Sequence, residues 1–114
     1  MIAVVKPSKI ILVSAEFHPL HKDWLRLAQR LASSLGIDLE VKLEDYVFVN
    51  QYGEKDDFGM AWLPQLFLVL EENNVFLLLS QYPFDKTTLK PDESLAIQEV
   101  KKKLKELGIE VVSL

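Results

Sequence analysis

Hydrophobic positions along this chain follow two periods, and the change from one to the other marks its elements. "KIILVSAEF" (residues 9–17) is a continuous apolar run bounded by Pro7-Ser8 and Pro19, and it reads as a central strand covered on both faces. From Pro19 the period changes: Trp24, Leu25, Leu27, Ala28, Leu31, Ala32 and Leu35 keep the three-and-four spacing of an amphipathic helix. Gly36 suits the left-handed residue just past its end. "DLEVKLEDYVFV" (38–49) mostly alternates and is rich in β-branched and aromatic residues, which predicts a second strand. "NQYGEKDDFGM" (50–60) reads as a loop with at most one helical turn. Two apolar runs, "QLFLVLE" and "VFLLLSQ", flank Glu72-Asn73-Asn74 at hairpin spacing and predict antiparallel neighbours. After a polar connection containing Pro83 and Pro91, Asp92 is placed to cap a helix whose stripe is Ala96, Val100, Leu104 and Leu107, ended by Gly108. "IEVVSL" (109–114) reads as a short closing strand.

This order of elements predicts an α/β fold, a central mixed sheet with helices on both faces and an added C-terminal strand. The crossover rule makes the first two strands parallel neighbours. With 114 residues, 49% of them hydrophobic, residues 1–114 read as one domain with one packed core. A net charge of −4 argues against a nucleic-acid partner, since phosphate binding needs a basic face. The one basic cluster, Lys101-Lys102-Lys103 with Lys105, is interleaved with the apolar stripe and reads as a solvated helix face. The apolar run near the N-terminus is too short for a secretion signal or a membrane span, so the expected location is cytoplasmic.

There is no cysteine, which removes disulfides, thiolate metal sites and every sulfur nucleophile. Both histidines fall in one tetrad, His18-Pro19-Leu20-His21, where the first apolar run gives way to the helix. "AEFHPLHK" (15–22) resembles the active-site run of the thioredoxin family, Ala-Glu-Trp-Cys-Gly-Pro-Cys-Lys, with histidine in place of both cysteines. "WLPQLFLVL" (62–70) is similar to the family segment in which a cis-proline precedes the hairpin, and it aligns Pro64 with that proline, 46 positions after His18. The resemblance spans roughly residues 9–107. It implies a thioredoxin-like three-layer fold, a cis bond before Pro64, and a substrate groove in which the backbone of Leu63 would receive an extended peptide. It departs at two further positions: Leu12 stands where redox members carry a buried aspartate and Ser14 where they carry a tryptophan. Thiol-disulfide oxidoreductase activity is excluded by chemistry, because the attacking atom of that exchange must be sulfur.

Two functional readings follow, with no enzyme motif beside them. In the first, a non-redox thioredoxin-like protein binds a peptide or protein partner at the former active site through His18, His21, Leu63 and Pro64. Trp62, Phe17 and Leu20 would then form an apolar rim. In the second, Pro19 opens the helix, His18 caps it, and His18 and His21 share a face on which a divalent transition metal binds with Glu16 or Asp23 as oxygen donors. That donor set is thin beside the three or four protein ligands of a tight zinc site. A homo-oligomer formed through the closing strand or the hairpin edge is a third expectation.

Overall fold

The computed structural model describes residues 6–111 and Leu114. In chain order the elements are β1 (Pro7–Ser14), α1 (His21–Leu35), β2 (Asp38–Leu43), α2 (Tyr46–Tyr52), β3 (Gln65–Leu70), a 3-10 turn (Glu71–Asn73), β4 (Asn74–Leu79) and α3 (Glu93–Glu106). The four strands form one mixed sheet in the order β2-β1-β3-β4. β1 pairs parallel with β2 and antiparallel with β3, and β3 pairs antiparallel with β4. Both the parallel first pair and the hairpin agree with the sequence pattern. At the hairpin turn the chain reverses at Asn73, whose φ of 62° is one that asparagine tolerates.

The inner strands show why their sequences are apolar without a break. Side chains alternate between faces, so Ile10 and Leu12 of β1 enter a larger core with Leu66 and Leu68 of β3. Their neighbours Ile11, Val13, Phe67 and Val69 enter a smaller core on the opposite face. Trp24, Leu27, Ala28, Leu31 and Ala32 of α1, and Ala96, Ile97, Val100 and Leu104 of α3, close the larger core. α2 covers the smaller one, with Val49 fully buried and Phe48 edge-on to Phe67 at 5.1 Å between ring centroids. Helices therefore lie on both faces of the sheet. Among the described residues no helix is long and apolar enough to cross a membrane.

Three boundaries differ from the sequence expectation. β1 stops at Ser14 rather than Phe17. The predicted second strand stops at Leu43, and Tyr46-Val47-Phe48-Val49 are helical despite their strand propensity. Glu44 turns the chain with φ 52° while donating its N–H to Ser14 O at 2.8 Å, and the Asp45 carboxylate then accepts from Phe48 N at 3.0 Å. A local cap thus overrides propensity. Over Ile109–Val111 and Leu114 there is no strand; Val112 and Ser113, also assigned to that expected strand, lie outside the described residues. Ile109 is instead buried, and Val111 and Leu114 pack on the larger core.

Candidate functional site

The end of β1 and the start of α1 set the position of the histidines. Between them the chain makes two turns: His18 N donates to Ala15 O at 3.0 Å, and His21 N donates to His18 O at 3.0 Å. Pro19, with its fixed φ, occupies the second of these turns rather than the first helical position. α1 begins at His21, Leu20 stands at the capping position, and no side chain caps the helix. This corrects the expectation that His18 caps the helix. His18 makes a local contact of another kind, accepting the Leu20 N–H on its Nδ1 at 3.0 Å.

The two rings have separate surroundings. Nδ1 of His21 lies 2.7 Å from Oγ of Ser14, a residue that is fully buried at the end of β1. His21 is thus tied back toward the sheet. His18 lines a groove of about 430 Å³ together with Leu20 and Trp24 of the α1 side, Trp62, Leu63 and Pro64 of the segment before β3, and residues of the 80–84 stretch. Neither His21 nor Phe17 is among the lining residues; Phe17 stands 75% exposed. Of the seven residues named for the binding reading, His18, Leu20, Trp62, Leu63 and Pro64 come together, and Phe17 and His21 are not among the lining residues.

The far wall, which includes the expected Trp62, Leu63 and Pro64, is fastened by Gln65, Glu54 and Ser80, which the sequence pattern did not mark. Trp62 donates its indole N–H to Ser80 O at 2.8 Å, which ties the segment before β3 to the end of β4. Gln65, fully buried, binds that segment at three points: it accepts from Glu54 N at 2.8 Å and donates to Glu54 O at 3.0 Å and Trp62 O at 2.9 Å. Ser80 Oγ donates to the Glu54 carboxylate. The Leu63–Pro64 peptide bond is cis and Pro64 is buried. Tyr82 packs edge-on to Trp24 at 5.5 Å between ring centroids, and its hydroxyl is buried with no hydrogen-bond partner among the described residues. Burial, together with the Glu93 and Asp23 carboxylates, pushes that hydroxyl up to about 12.

No family model, curated protein or solved structure matches this chain.

His18 and Asp23, two of the residues named for a metal, are each engaged by another group. Because Nδ1 of His18 accepts a backbone N–H, it holds the ring's lone pair, and in the neutral ring the proton sits on Nε2. A metal at Nε2 would need the opposite tautomer, which would set two N–H groups against each other. Asp23, a candidate oxygen donor, is bound instead by Arg26 at 2.9 Å. No group of three or more His, Cys, Asp or Glu among the described residues is arranged to hold a metal ion. What His18 offers at the groove is a hydrogen-bond donor.

Proposed function

We propose that this chain is a non-redox protein of thioredoxin-like fold that binds an extended peptide, or an extended segment of a protein partner, in the groove between the start of α1 and the segment before β3. Support for the fold comes from the strand order β2-β1-β3-β4, with α1 crossing between the parallel strands and α3 following the hairpin. The observation that carries the binding reading is the shared groove. His18 and Leu20, from one end of the sequence anchor, line the same cavity as Trp62, Leu63 and Pro64 from the other.

Its lining is suited to a peptide. Leu20, Trp24, Trp62, Leu63 and Pro64 supply apolar surface, and a few polar groups stand among them. Ligand clefts commonly have this composition, and a volume of about 430 Å³ falls in their usual range. The protonated Nε2 of His18 would donate to a peptide carbonyl, and the backbone of Leu63 would pair with the peptide main chain as one added strand does with an edge. Without cysteine, no thiol-disulfide exchange accompanies binding. A cytoplasmic location belongs to this reading.

Selection from a displayed peptide library, followed by titration of the recovered sequences, tests the assignment. Wild-type protein is expected to recover peptides with an apolar residue flanked by extended backbone. Leu63→Lys, which sets an ammonium in the apolar lining, should weaken them about tenfold or more. Peptides that bind wild type and Leu63→Lys equally would place recognition elsewhere and refute the reading.

A further inference from the structure

The two edges of the sheet are built differently. β2, at one edge, carries Asp38, Glu40 and Lys42, and Glu40 is paired with Lys9 at 2.6 Å and with Lys42 at 2.9 Å. Charges of this kind keep an edge from pairing with another chain. β4, at the other edge, reads Asn-Val-Phe-Leu-Leu-Leu, six residues with neither charge nor proline. Its only strand partner among the described residues is β3, so the outer side of β4 offers main-chain N–H and C=O groups that no strand takes up. Phe76, 37% exposed, stands on this strand.

Beside that edge, along α3, runs a groove of about 500 Å³ and next to it a smaller one of about 160 Å³; Leu77, Lys103 and Glu106 line both. The charges along the larger groove are of both signs: Lys102 and Lys103 against Glu54, Glu99 and Glu106. A two-fold axis brings a surface against its own copy, so a patch of one sign repels itself, whereas a mixed patch can pair acid with base in both directions. A strongly acidic or basic partner would leave part of this set opposed by like charge.

We propose that the occupant of this edge is a second copy of the chain. Two β4 strands pair antiparallel across a two-fold axis, the four-stranded sheet becomes eight-stranded, and the α3 helices of the two copies exchange Lys–Glu pairs. Phe76 is covered at the seam.

Sedimentation velocity over a range of concentrations reads the outcome. Wild type is expected to be a dimer in the micromolar range, and Phe76→Lys should raise the dissociation constant about tenfold or more. Thermal unfolding of the variant checks that it still folds. A second pair of variants removes dependence on that check. Lys102→Glu with Lys103→Glu, and Glu99→Lys with Glu106→Lys, should each weaken self-association, while mixing the two should restore a one-to-one heterodimer. A wild-type chain that stays monomeric at about 100 µM would overturn the proposal. So would a dimer indifferent to both Phe76→Lys and the charge reversals.

Discussion

Three side chains fix the character of the candidate site. Gln65 does the most to position it, since its amide closes three hydrogen bonds to the chain at Glu54 and Trp62. Gly53 makes room for it: a Cβ built there would lie 2.6 Å from Gln65 Oε1 and 2.8 Å from Val49 O. Gln65→Leu keeps the volume and leaves these partners unmet, so it should cost about 2 kcal/mol and lower the melting temperature by roughly 8 °C in calorimetry. Tyr82 gives a pH dependence. Its folded pKa of about 12 exceeds the ordinary tyrosine value of 10.0, so the folded state holds the proton more tightly. The contribution is fully present below pH 10.0 and is lost as pH rises from there through about 12. Urea unfolding of wild type should therefore show falling stability across that window, with a shallower fall in Tyr82→Phe. At neutral pH that variant, freed of a hydroxyl that has no hydrogen-bond partner among the described residues, should be as stable as wild type or more so. The histidines yield a third expectation: with Nδ1 of His18 engaged by a backbone N–H, titration with zinc or nickel should show no saturable site. A stoichiometric site abolished by His18→Ala would contradict the tautomer argued above.

Among the elements, the caps decide what propensity leaves open. α2 has only seven residues and begins with four that favour strands, yet Asp45 accepts from Phe48 N and holds its first turn. Asp92 does the same for α3 by accepting from Leu95 N. Asp45→Ala should cost about 1 kcal/mol, and because a short helix opens locally, amide exchange across α2 should speed up about fivefold with little change in α1. The same two caps show where sequence reading succeeds and fails. Asp92 was legible because a long apolar stripe follows it. Asp45 was not, because Tyr46-Val47-Phe48-Val49 continues the alternating pattern and hides the turn at Glu44. β1, α1, the hairpin and α3 were legible because their buried faces repeat over many residues. At the site, the pairing of the His18 and Pro64 neighbourhoods was readable from two spaced anchors. The separation of His18 from His21 was not, since it depends on Ser14 Oγ at the end of β1 receiving the His21 ring. Nor was the Gln65 clasp, which involves a residue that reads only as the first of an apolar run.

At the scale of the molecule, one sheet presents two different surfaces. One end gathers the α1 start, the segment before β3 and the 80–84 stretch around an apolar groove. At one edge the outer side of β4 is apolar and takes no further strand among the described residues, beside a mixed-charge helix. The cores on both faces of the inner strands hold these surfaces in place, because every side chain of Ile10–Val13 and Leu66–Val69 is buried on one face or the other. The most direct test of the central claim is a titration of isotope-labelled protein with a selected peptide, followed by backbone and indole amide shifts. Binding at the proposed groove predicts that the largest shifts fall at His18, Leu63, Gln65 and Tyr82 and at the Trp62 indole, all saturating together. Shifts confined to β4 and α3, or to the far ends of the strands, would contradict it.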